Sequence, residues 1–208
     1  MLKKTLRIFA LAALAFAPAA GAATVSVAYG TATGIVDMTG TALVGGLVKF
    51  GHFTADPAGI GPDLSALDAA FIEVGSTASD SAGSAGFFET SSFTFDDGDS
   101  FEGVPYSSFL GAPVYALISN AGGTEVGVAR FNDTFRPDPT VGVGLPNSVA
   151  NVALDDGAAL GIIGGFTGPE IFPGATPAAF QLVPIPEPSH AVLLGLGLAL
   201  TAARRRRS

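Results

Sequence analysis

The chain has 208 residues, a formal net charge of −8 and no cysteine, which excludes a disulfide scaffold, a thiolate zinc site and a cysteine nucleophile. Of its ten basic residues, Lys3, Lys4 and Arg7 open the chain and Arg204–Arg207 close it, leaving Lys49, Arg130 and Arg136 against eighteen acidic residues between Asp37 and Glu187. That central body carries a charge near −15 (eighteen acids less three bases) and repels nucleic acid and anionic membrane.

Residues 1–22 read as a secretory signal peptide. Lys3, Lys4 and Arg7 precede the apolar run Ile8–Phe16, and Ala20 and Ala22 satisfy the small-x-small rule. Cleavage is expected after Ala22, with Ala23 as the alternative. The exported body is then residues 23–183, about 160 residues, one domain with enough chain to bury a core.

The body alternates short β-prone runs with breaks rich in glycine, proline and aspartate, an all-β pattern. Strands are predicted near Thr24–Tyr29, Gly34–Met38, Gly46–Phe53, Phe87–Phe95, Pro113–Ser119, Glu125–Phe131, Ser148–Leu154, Ala159–Phe166 and Ala179–Val183. One short helix is expected at Asp63–Phe71. Asp63 is a good N-cap, Leu64, Leu67 and Phe71 recur at spacings of three and four, and the helix should pack over one end of a sheet. Residues Ser76–Gly86 are small and polar and read as a loop, as does the stretch from Arg136 to Pro146. The clearest hairpin spans Val114–Phe131. Its turn, Asn120-Ala121-Gly122-Gly123, carries residues that tolerate positive φ. The expected fold is a single antiparallel β-sandwich-like domain with one short helix.

Few residues suggest chemistry. Within Phe95–Glu102, the side chains of Asp97, Asp99 and Glu102 could supply several of the six to eight oxygens calcium takes. The stretch fails the EF-hand pattern in its glycine position, its missing distal Glu and its β-like flanks, and a solvated turn is the simpler reading. Asp155-Asp156-Gly157 reads as a hairpin turn. His52, the only histidine of the body, has no partners for a triad or a histidine metal cluster. Ser107 and Ser108 lack the nucleophile-elbow context. Carboxylates are abundant, but nothing fixes two of them at a glycosidase separation. No Trp and three scattered Tyr give no stacking platform for sugars. Non-enzymatic function is therefore expected. A small calcium- or carbohydrate-binding module and a secreted hydrolase are the alternatives.

The C-terminal stretch, residues 184–208, is the most specific part of the sequence. It joins Pro186-Glu187-Pro188, the apolar run Ala191–Ala203 and four consecutive arginines, Arg204–Arg207. The prolines hold Glu187 extended, as recognition by another protein requires. With Ser189 and His190 the apolar run reaches about fifteen residues, against about twenty for a comfortable membrane span. Flanking positive charge stays cytoplasmic, so everything before Ser189 lies outside the cytoplasm.

This order of three parts resembles the PEP-CTERM sorting signal of Gram-negative bacteria. The match covers Pro186-Glu187-Pro188-Ser189, the run Ala191–Ala203 and the cluster Arg204, Arg205, Arg206 and Arg207, about one eighth of the chain. The segments Leu43–Gly51 and Val114–Ile118 also look like parts of PEP-CTERM proteins of simple architecture. The resemblance implies export through the translocon, removal of the leader by signal peptidase and transient inner-membrane retention through Ala191–Ala203. It also implies recognition by exosortase, a membrane-embedded cysteine transpeptidase or protease whose catalytic residues belong to that enzyme. Its family context is exopolysaccharide, biofilm or floc, which implies a structural or adhesive role at the cell surface or in the extracellular matrix. No cofactor is implied.

Overall fold

The computed structural model describes residues 34–88, 99–135, 154, 159–170 and 177–186. Their regular elements are mostly strands, as the all-β expectation requires. In chain order they are β1 (Gly34–Val36), β2 (Leu47–Phe53), α1 (Pro57–Ile60), α2 (Leu64–Ala70), β3 (Phe71–Ala78), β4 (Ser100–Phe101), β5 (Val104–Pro105), a 3-10 turn (Tyr106–Phe109), β6 (Pro113–Ser119), β7 (Glu125–Thr134), β8 (Leu160–Ile163), β9 (Gly165–Glu170), β10 (Pro177–Gln181) and β11 (Val183–Pro184).

The larger sheet runs β11-β7-β6-β2-β3, with β8 also paired to β7. Its backbone is the hairpin β6–β7, in which Ala116 faces Ala129, Leu117 faces Val128 and Ile118 faces Gly127. Asn120 builds the turn. Its Oδ1 accepts from the Thr124 and Glu125 amides at 2.9 and 3.2 Å, and its own amide donates to the Glu125 carbonyl at 3.3 Å. On its other edge β7 receives two short strands in succession. Val126 pairs with Val183 of β11, and Val128–Arg130 pair with β8.

The smaller sheet has the order β1-β10-β9. Here the expectation of antiparallel pairing fails, because β1 and β10 run parallel, with Gly34 opposite Ala179 and Val36 opposite Gln181. The two strands lie far apart in the chain, so no tight turn constrains their direction. The segment predicted as one strand at Ala159–Phe166 is two. Gly164, at φ +78°, breaks it, so that β8 stays with the large sheet and β9 joins the small one. The chain returns the same way. Leu182 divides the strand predicted at Ala179–Val183, leaving β10 in the small sheet and β11 in the large one.

Two apolar clusters lie on opposite faces of the large sheet. The alternation of β6 dictates this: Val114, Ala116 and Ile118 enter one cluster and Leu117 the other. The first cluster joins both sheets, gathering Val48, Phe50, Ile72, Val74 and Phe131 with Ile35 of β1 and Phe180 of β10. Leu154, the one described residue of the strand expected at Ser148–Leu154, is fully buried there. The second cluster holds Phe53, Phe71, Leu117, Val126, Val128 and Ile163 under Leu67 of α2. The helix packs on the face of the sheet that carries this cluster, with Leu64 beside Gly123 of the β6–β7 turn. Asp63 caps it as predicted, its Oδ1 accepting from the Ala66 amide at 3.1 Å.

The helix stops one residue short of expectation. Phe71 is the C-cap, with extended φ and ψ of −100° and 128°, and it opens β3. That strand continues through Ser76–Ala78, part of the stretch read as a loop, and pairs with Leu47–Lys49. Of the strand expected at Phe87–Phe95, only Phe87 and Phe88 are described. Phe87 makes an isolated bridge to Ser84, and Phe88 is buried with its ring 5.9 Å from that of Phe50. The strand expected at Thr24–Tyr29 and the signal peptide lie outside the described residues.

Candidate functional site

The chain leaves the described fold beside α1 and α2. Strand β11 is only two residues long, and Pro184 within it lacks an amide to donate. Ile185 supplies the missing anchor. Its amide donates to the Thr124 carbonyl at 2.8 Å, and its side chain packs against the second cluster. The folded body thus reaches Ile185, beyond the boundary expected at Val183. Pro186, first residue of the Pro-Glu-Pro motif, follows at once and is exposed. Glu187, Pro188, the run Ala191–Ala203 and Arg204–Arg207 lie outside the described residues.

An open cleft of about 330 Å³ flanks this exit, lined by Ile60, Pro62, Asp63, Ile185 and Pro186. A second hollow of about 470 Å³ adjoins it along Asp63, Leu64, Ser65, Asp68, Gly123 and Ile185. The floor is apolar and its charged lining residues are both acids. Each has a structural task. Asp63 caps α2. Asp68 accepts from Lys49 Nζ at 3.1 Å, while Glu73 stands 3.4 Å from the same nitrogen. Burial pulls the Lys49 ammonium toward a lower pKa, but the Asp68 hydrogen bond and the charges of Asp68 and Glu73 outweigh it and raise the pKa above the ordinary lysine value. Lys49 is thereby held charged as a strut between α2 and β3. Sequence reading found neither this strut nor the cleft, since Lys49, Asp68 and Glu73 carry no motif and meet only in the fold, from β2, α2 and β3 respectively.

The residues singled out for metal binding divide. Asp97 lies outside the described residues. Asp99 is exposed, and its carbonyl accepts from the Tyr106 amide at 2.9 Å. Glu102 sits in the two-residue turn between β4 and β5, with Phe101 opposite Val104. Glu102 and Gly103 both have positive φ, 51° and 81°, the signature of a type I′ hairpin turn. Glu102 therefore has a backbone role in closing a hairpin. Among the described residues no group of three or more His, Cys, Asp or Glu side chains is placed to hold a metal ion.

His52 lies on β2 opposite Ile72, its ring 6.5 Å from that of Tyr115. Burial pushes its pKa below the ordinary histidine value, against a hydrogen bond to the Pro113 backbone that works the other way. Ser108 donates to the Pro105 carbonyl at 2.7 Å, a local turn contact. These positions supply structural hydrogen bonds and packing.

Among the described residues no helix is long and apolar enough to cross a membrane. No protein-family model matches the chain, and no curated protein and no solved structure matches it.

Proposed function

We propose that this chain is an exported protein sorted by exosortase, and that its body is a non-enzymatic, two-sheet β-sandwich with a structural or adhesive role at the cell surface or in an exopolysaccharide matrix. The observation that carries the reading is the order of the tail: Pro186-Glu187-Pro188, then Ala191–Ala203, then Arg204–Arg207. Each part has a physical task in sequence. The extended motif is presented, the short apolar run holds the chain in the inner membrane, and the arginines keep its end cytoplasmic. Support comes also from the body. Its acidity suits a secreted, soluble surface, and its lack of cysteine leaves the two apolar clusters to hold the fold. The exposure of Pro186 directly after the last strand fits presentation of the motif to a membrane enzyme.

Intact-mass analysis of the protein from its native host, separated into membrane, periplasmic and extracellular fractions, tests this. The expected product begins at Ala23 or Thr24, ends near Pro188 and lies outside the cell. A chain that keeps Arg204–Arg207 in the inner membrane refutes the sorting and leaves a permanently anchored domain.

A further inference from the structure

Strand β1, the first of the described fold, and β10, the last but one, are neighbours, and they are parallel. Strand β1 pairs with β10 through Gly34–Ala179, Ile35–Phe180 and Val36–Gln181, and the Leu182 amide adds a bond to the Val36 carbonyl at 3.0 Å. Opposed forces on the two chain ends therefore drag these strands in opposite directions along a common axis. The pull runs along the strands and across the hydrogen bonds that join them, so the rungs of the ladder are loaded together. A hairpin opened from its ends loads one rung at a time.

The other edge of β1 is held as well. The Ile35 amide donates to the Gly86 carbonyl at 2.7 Å, its carbonyl accepts from the Leu43 amide at 2.9 Å, and Val36 bridges Ala42. Gly86 is obligatory there. Its φ is +77°, and a Cβ would lie 2.5 Å from the Ile35 carbonyl oxygen. The two central side chains of the ladder, Ile35 and Phe180, are fully buried, so the strands cannot slide without breaking the core between the sheets.

We propose that this domain is a load-bearing module in which the β1–β10 ladder acts as a shear clamp against tension along the chain. Under such tension the short strand β11 and the Ile185–Thr124 bond yield first, because they lie between the clamp and the C-terminal tail. The clamp then breaks as a unit. Attachment through the tail, which would supply the tension, rests on the sorting reading above; the clamp itself does not.

Single-molecule pulling tests it. The full chain, held in detergent, is tethered through its two ends. A second form, A112C/T134C, is pulled through its cysteines, which have no native competitor. These sites load the antiparallel β6–β7 pair from its open end, where Pro113 faces Thr134. End-to-end pulling should give one main rupture, at several times the force of the hairpin geometry. It should release the chain between Val36 and Ala179, roughly 500 Å at ~3.4 Å per residue. An end-to-end rupture at equal or lower force, or a gradual extension, overturns the proposal. In V36C/Q181C, oxidised to a disulfide, the long release should vanish from the end-to-end record; its persistence would also overturn the proposal. Forced rupture reports the unfolding rate and is indifferent to processing in the host. A correctly processed but weak protein removes the clamp alone, and a strong but unprocessed one removes the sorting alone.

Discussion

Gly127 and Phe180 form a pair that crosses from one sheet to the other, and their coupling can be measured. Gly127 lies in β7 opposite Ile118. A Cβ built on it would stand 2.6 Å from Phe180 Cε1 and 2.8 Å from Leu182 Cδ2, both well inside normal contact. Phe180 is fully buried, and its ring meets Phe166 edge-on at 5.1 Å. Gly127→Ala should therefore overpack the space between the sheets and cost about 1–3 kcal/mol, despite the better strand propensity of alanine. Phe180→Leu removes the ring edge that fills this space. It should cost about 1–3 kcal/mol, less than the ~3–5 of full truncation to alanine. In the double variant the new methyl enters space that the ring has vacated and only the contact with the end of Leu182 remains, so much of the cost of Gly127→Ala should disappear. Urea unfolding of the four proteins closes the cycle, and the expected interaction energy is about 1–2 kcal/mol. Additivity within ~0.5 kcal/mol would refute the packing of β10 over β7, and with it the account of the core between the sheets.

Three further outcomes are expected. Asp63→Ala should lose about 1 kcal/mol through the N-cap of α2, and Asp63→Asn only a few tenths; equal losses in urea unfolding would remove the cap as the cause. Lys49→Met should cost no more than about 1 kcal/mol, shrinking at high salt, because Asp68 and Glu73 are partly exposed. The raised Lys49 pKa places that contribution below the ordinary lysine value of 10.5 and loses it as pH rises through the folded value, so a salt-independent loss, or one that persists at high pH, would contradict the strut. Asp37 behaves oppositely. The Thr39 hydroxyl and the Thr41 and Thr39 amides that bond its carboxylate hold its pKa below the ordinary 3.8. Its ordering of residues 37–41 should be complete above 3.8 and fade as pH falls through the lower folded value. Faster exchange of the Thr39 and Thr41 amides in Asp37→Ala, read by hydrogen exchange, checks this.

Local signals were legible in the sequence where one side chain decides the backbone. Asn120 and Gly123 mark the β6–β7 turn, and Asp63 marks the start of α2, because each bonds or bends within a few residues. Phe71 misled for the same local reason. It lies four residues after Leu67 and so completes a helical stripe, yet it serves the same apolar cluster from the first position of β3. Ser76–Ala78 look like loop because an exposed strand end needs no apolar residues. The parallel pairing of β1 with β10 joins segments far apart in the chain, and no spacing announces it. The acidic stretch was legible only as composition. At Glu102 the sequence shows a carboxylate, but not the positive φ of the β4–β5 turn, which the residue type does not reveal. The cleft beside Pro186 depends on how α1, α2 and β11 converge and could not be read from any one of them.

Strand β6 has a consequence for how the domain comes apart. Adjacent residues Leu117 and Ile118 insert into opposite clusters, so neither cluster can dissolve while the other keeps its wall. Damage on either side of the large sheet, whether under α2 or between the sheets, is felt by the same two strands. The domain should consequently unfold as one cooperative unit. The most slowly exchanging amides should lie on β6 and β7, opening only with global unfolding. Apart from the two-residue strand β11, such a body offers a protease little that opens short of global unfolding, and it reaches this without a disulfide.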